Sequence, residues 1–227
     1  ASCHRQFSLG VPFTERFFEL ALEGNSSGYV GLITANSFMK REFGKPLIEE
    51  FLPRVDLTHV IDTSGAFIPG HGTPTVILLG RNRQPVQRTV RTVMRVKGEP
   101  SIPQDPAQGQ VWRSIVSSVD MPGSETEFVS VADIDRGSFA KHPWSIGGGG
   151  AVAVKERLEE QCARRLSEVI GEIGFVCMTR ADDLYFISRG ALHRAGVAEA
   201  FIVENVEGDR VRDWSIREPN TALFPYD

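Results

Sequence analysis

Residues 28–81 read GYVGLITANSFMKREFGKPLIEEFLPRVDLTHVIDTSGAFIPGHGTPTVILLGR, and this stretch decides the fold. YVGLITA, residues 29–35, is an uncharged run of strand length, the pattern of a strand covered on both faces. Asn36 and Ser37 offer capping side chains to a helix over residues 38–52, broken in character at Gly44-Lys45-Pro46 and ended by Pro53. Residues 59–63 form a second strand, and a glycine-rich loop, residues 64–73, leads to a third at residues 75–79. That loop is too short for the crossover that parallel neighbours need, so these two strands are expected to be antiparallel. Upstream, Pro12 opens a helix that turns Phe13, Phe17, Leu20 and Ala21 to the core and Thr14, Glu15 and Glu19 to water, with Gly24 stopping it. Strand and helix alternate, which defines an α/β sheet with a terminal antiparallel hairpin.

Working downstream, residues 81–97 hold six basic side chains, Arg81, Arg83, Arg88, Arg91, Arg95 and Lys97, and no acidic one. Two readings stay open: a solvated edge strand whose charges prevent edge pairing, or a strip facing phosphates. Pro100, Pro103, Pro106 and Pro122 mark an irregular connection, although Val111-Trp112 and Ile115-Val116 should dock on something. His142-Pro143-Trp144-Ser145 precedes four glycines, Gly147 to Gly150, which suit a hinge better than a phosphate cradle because no Lys-Ser/Thr follows them. A helix over residues 152–170 is expected to bury Val154, Leu158, Cys162, Leu166, Val169 and Ile170, with Gly171 and Gly174 at its end. Beyond it, residues 184–187, 200–203 and 211–216 read as short strands and residues 191–195 as a small helix. The expected divisions are therefore 1–97, a Pro/Gly-rich connection at 98–150, and an α+β segment at 151–227.

The 227 residues are 24% charged and 41% hydrophobic with a formal net charge of −4, which excludes disorder, collagen and coiled coil. No apolar run approaches the roughly 20 residues of a membrane span, so a soluble, cytoplasmic protein is expected. Cys3, Cys162 and Cys177 are too few and too scattered for a disulfide framework, and the five histidines have no second ligand at zinc-site spacing. No serine sits in a GxSxG elbow. With an acidic balance, any contact with nucleic acid must use a local basic patch.

Gly31-Leu32-Ile33-Thr34-Ala35-Asn36-Ser37-Phe38, the segment 44–52, the strand 59–63, the aromatic-bearing loop and the strand 75–80 together resemble the second half of the catalytic domain of adenine-specific (N6) DNA methyltransferases. Residues 69–75 and His142-Pro143-Trp144-Ser145 with its glycines are most similar to the large methyltransferases of the BREX and phage-growth-limitation systems of bacterial phage defence. The resemblance implies the C-terminal half of a class I, Rossmann-like methyltransferase sheet. It also implies methyl transfer from S-adenosylmethionine to adenine N6 in double-stranded DNA, with other phage-defence proteins as partners.

Two family features are missing: the glycine-rich cofactor turn, and the (N/D/S)PP(Y/F/W) tetrapeptide, since no PP dipeptide occurs. The chain is accordingly expected to be a fragment starting after the catalytic motif, binding no cofactor and inactive in isolation. By the same resemblance Phe67, the one aromatic of its loop, would stack on the target adenine, with a hydrophobic plug as the plain alternative. Lys40, Arg41, Arg81, Arg83, Arg88 and Arg91 would lie toward DNA. The rivals are a non-catalytic DNA-binding or interaction module on the same scaffold, and a small-molecule or RNA methyltransferase.

Overall fold

A computed structural model describes residues 3–24, 26–171, 181–208, 210–213 and 215–225; Gly174 and Cys177 lie outside them. The chain divides into two units, residues 1–162 and 163–227.

The first unit is built on a mixed five-stranded sheet in the order β1-β3-β2-β4-β5. Its strands are β1 (Tyr29–Ala35), β2 (Asp56–Asp62), β3 (Thr75–Arg81), β4 (Thr89–Arg95) and β5 (Val129–Asp135). β3 runs antiparallel to both β1 and β2, β4 lies parallel to β2, and β5 closes the edge antiparallel to β4. The expected hairpin exists but is not terminal. It sits inside the sheet, because β4 and β5 extend it by two strands.

Apolar residues cover both faces. On one, helix α1 (Gly10–Leu20) and the turns of residues 36–54 bury Val11, Phe18, Phe38, Leu47 and Ile48 against Val30, Leu32, Val60, Val76 and Leu78. Trp144 completes this layer, edge-on to Phe38 and Phe139, with its indole N–H donating to the Phe139 carbonyl at 3.0 Å. On the other face, α2 (Gln110–Ser118) buries Val111 and Ile115 against Ile61, Val93, Val129 and Val131. In place of the helix expected over residues 38–52 there are short helical turns, interrupted near Gly44 as expected but continuing through Pro53 to Arg54. Gly44 is required there, since a Cβ would stand 1.8 Å from the Phe38 carbonyl oxygen.

Four further expectations are corrected. Helix α1 buries Val11, Thr14 and Phe18, while Phe13, Phe17 and Leu20 are exposed. Both sets recur at helical spacing, and Thr14 can be buried because its hydroxyl donates to the Gly10 carbonyl at 2.6 Å. The basic segment is no edge, for β4 pairs on both sides. Residues 98–150 contain α2 and β5 rather than only a connection. The helix expected over residues 152–170 is α3 (Ala151–Gln161), with Val154, Leu158, Leu166 and Val169 exposed.

The second unit contains α4 (Asp182–Tyr185), where a strand was expected, and α5 (Arg189–Arg194), which buries Leu192. β6 (Ile202–Asn205) pairs with β9 (Asn220–Leu223), and β7 (Val211–Arg212) with β8 (Ser215–Ile216), all antiparallel. Arg189 and His193 both reach Glu199.

Candidate functional site

β1 and β2 both run antiparallel to β3 and so point the same way, and their carboxyl ends deliver Asn36-Ser37 and Asp62-Thr63 to one rim of the sheet. In open α/β sheets this is the rim where ligands bind. The loop of residues 64–73 rises from it. Its base is fixed by the buried Thr63–Thr75 hydroxyl pair at 2.7 Å, by the Thr63 amide on the Thr75 carbonyl, and by the Asp62 carboxylate accepting from the Ser64 amide at 2.9 Å. Gly65 packs so tightly on β4 that a Cβ there would meet the Lys97 carbonyl at 2.8 Å and the Arg95 side chain at 3.2 Å.

An apolar crevice of about 290 Å³ opens on one side of this loop. Thr63, Ala66, Phe67, Ile33, Ile77 and Trp112 are among its walls. Phe67 is half-buried, lines this crevice and stands outside both core clusters. Trp112 reaches the crevice because Glu99 holds α2 in place. The Glu99 carboxylate accepts the first amides of the helix, from Gln110 at 2.7 Å and Val111 at 3.0 Å, while its own amide donates to Gly65 at 2.8 Å. Sequence reasoning missed this partnership, and a lone glutamate among prolines gave no local sign of it.

A cleft of about 620 Å³ opens on the other side. Asn36, Ser37, Asp62 and Ser64 line it together with four cations, Lys40, Arg41, Arg95 and Lys155. Lys40 and Arg41 were expected near DNA. Arg95 was noted only within the basic strip, and Lys155 was not singled out because it lies more than a hundred residues from Lys40 in sequence.

The other expected cations do not gather here. Arg83 pairs with the buried Asp56 at 2.9 Å, and Arg136 holds the second oxygen of that carboxylate at 3.2 Å. Arg91 forks onto Asp133 across β4–β5 at 2.5 and 3.3 Å and also donates to the Val119 carbonyl. The Arg91–Asp133 hydrogen bond holds the Asp133 carboxyl below its usual range. Burial, helped by Arg91, pushes His59 below its own. Arg81 lies 4.4 Å over the Tyr29 ring and donates to the Ser27 carbonyl. Arg88 is exposed beside Pro53 and Arg136, away from the cleft. Among the described residues no cluster of His, Cys, Asp or Glu could hold a metal ion, and no helix is long and apolar enough to cross a membrane.

The chain's sequence is similar to that of an adenine-specific methyltransferase. The relative is the adenine-specific methyltransferase PglX of Streptomyces coelicolor, 45% identical over 233 residues that cover 99% of this chain. The resemblance read from residues 28–81 is thus borne out along the whole sequence. The chain spans 19% of that relative's length. No protein-family model matches. A solved structure of the type IIG restriction endonuclease BpuSI superposes with a TM-score of 0.43 at 13% identity, covering 99% of this chain and 27% of that one.

Proposed function

We propose that this chain is the part of an adenine-specific DNA methyltransferase that completes the catalytic sheet and supplies one wall of the target-base pocket. The observation that carries the proposal is the 45% identity to PglX over 99% of the chain. In this reading β1, β3 and β2 are the C-terminal half of a class I, Rossmann-like sheet, and the parent protein methylates adenine N6 in double-stranded DNA. Bacterial phage defence, in the cytoplasm and alongside other defence proteins, is the proposed setting.

The amino group of a stacked, paired adenine is out of reach, so the base must leave the helix and be held outside it. Phe67 on its loop offers the flat apolar surface that such a base needs, with Ile33, Ile77 and Trp112 in the same crevice.

S-adenosylmethionine supplies the electrophilic methyl group in such enzymes, and the residues present here do not fit it. The glycine loop joins two strands instead of a strand and a helix, and one oxygen of Asp62, the carboxylate at its base, accepts from the Ser64 amide within the loop itself. The cofactor is therefore assigned to other parts of the parent protein, and the isolated chain to an inactive state. The test is incubation of the full-length protein with S-adenosylmethionine and unmodified bacterial DNA, followed by nucleoside mass spectrometry. N6-methyladenine is expected, and its absence, or methylcytosine in its place, would overturn the reading.

A further inference from the structure

We propose that the cleft lined by Lys40, Arg41, Arg95 and Lys155 is a phosphodiester-binding track for DNA, placed so that the loop of Phe67 has backbone phosphate on one side and base on the other. The choice of DNA as the source of the phosphate rests on the methyltransferase reading; the binding chemistry does not.

Unspent charge is the first support. Arg83, Arg136 and Arg91 each face a carboxylate within the fold, which cancels most of their field. The structure gives the side chains of Lys40, Arg41 and Arg95 no carboxylate partner among the described residues, and Lys155 meets only Glu159 of its own helix, an exposed pair that water screens. One carboxylate, Asp62, stands in the wall and is engaged by the Ser64 amide. Excess cations gathered in a concavity focus a positive potential and draw an anion toward it.

The second support is the company those cations keep. Asn36, Ser37, Ser64 and Ser145 bring neutral donors to the same cleft, the mixture of amide and hydroxyl groups that accompanies Lys and Arg on phosphate oxygens. A third comes from Arg95, whose stem lies against Gly65, two residues before Phe67. A phosphate held by Arg95 would therefore steady the base of the loop whose other side offers the aromatic wall. Asp62 and Ser64 face the cleft while Thr63, Ala66 and Phe67 face the crevice, so one short segment separates the two environments. An extruded nucleotide carries the same division, anionic at its backbone and apolar on its base faces.

The test compares the full-length protein with Arg95→Gln/Lys155→Gln and with a charge-matched control, Arg54→Gln/Arg113→Gln, whose exposed side chains lie outside the cleft. Binding of a short fluorescein-labelled DNA duplex is followed by anisotropy across a salt series, with methyl transfer measured in parallel. Each phosphate contact contributes about 0.9 to the slope of log affinity against log salt, so the cleft variant should flatten it by about 2. Between about 50 and 200 mM salt it would then lose roughly tenfold less affinity than the parent. The control should keep the parental slope, and thermal unfolding should match for all three. A parental slope in the cleft variant, equal flattening in the control, or no DNA binding by the parent would overturn the proposal. Flattening by the cleft variant alone, in a protein that makes no N6-methyladenine, would uphold the track and defeat the methyltransferase reading.

Discussion

Truncating Phe67 to alanine separates a wall from a plug by two readouts on one protein. Burying a phenylalanine fully is worth roughly 1.5–3 kcal/mol, and the half-buried ring of Phe67, outside both core clusters, should hold about 1 kcal/mol. In a unit of this size that lowers the melting temperature by about 2–4 °C, whereas a core plug would cost about 3–5 kcal/mol and a correspondingly larger shift. Loss of base stacking costs about 1–3 kcal/mol in the bound state, which corresponds to a fall in kcat/KM for methyl transfer of roughly fivefold to 150-fold. Phe67→Tyr and Phe67→Trp keep an aromatic face and should keep most of the activity. Methyl-transfer kinetics and thermal unfolding of the full-length protein provide both numbers. Normal kcat/KM in a folded Phe67→Ala protein would refute the stacking role, and a large loss of stability would return the ring to the core.

Three further outcomes are expected. Gly44→Ala drives a methyl group into the Phe38 carbonyl and should destabilise the first unit by about 3 kcal/mol, the upper range for overpacking; a melting temperature within a degree of the parent would contradict the close packing. His59 and Asp133 both have lowered pKa values in the fold, so the unfolded chain binds more protons and stability rises with pH through each titration. Stability should therefore be full above the ordinary histidine value of 6.5, fall as pH drops through the His59 titration, and fall again below the ordinary Asp133 value of 3.8. His59→Gln should remove the first loss, as read from urea midpoints across that range, and an unchanged pH profile would refute the assignment. The 227-residue chain alone should give no calorimetric signal with S-adenosylmethionine, and micromolar binding would reveal a cofactor site within it.

The central hairpin was legible because its signals are local. YVGLITA and TVILLG are uncharged strand-length runs, and ten loop residues cannot hold a crossover helix. Helix α1 was legible as a helix but not in its orientation, since Phe13-Phe17-Leu20 and Val11-Thr14-Phe18 are both stripes at helical spacing. Periodicity cannot choose between two such stripes when the tertiary partner is unknown. The basic segment misled for a related reason: Asp133 neutralises Arg91 from 42 residues away, and Asp56 takes both Arg83 and Arg136. The charge available to a ligand could be found only after those pairs had been subtracted; of the cations that remain, Lys40, Arg41, Arg95 and Lys155 share one cleft, while Arg54, Arg88 and Arg113 lie outside it. Helix α2 went unread because it spans nine residues in a proline-rich stretch and starts on Glu99, which is not adjacent to it.

The proposed place of the loop of residues 64–73 is between an extruded adenine and the DNA backbone. Its most direct test is a structure of the full-length protein bound to S-adenosylmethionine or an unreactive analogue and to duplex DNA carrying the target site, that site having been located by mapping N6-methyladenine. An extruded adenine is expected in van der Waals contact with the Phe67 ring, at about 3.5–4 Å, with a backbone phosphate among Lys40, Arg41, Arg95 and Lys155. An adenine seated away from Phe67, with DNA passing the opposite edge of the sheet and the cleft empty of phosphate, would contradict it.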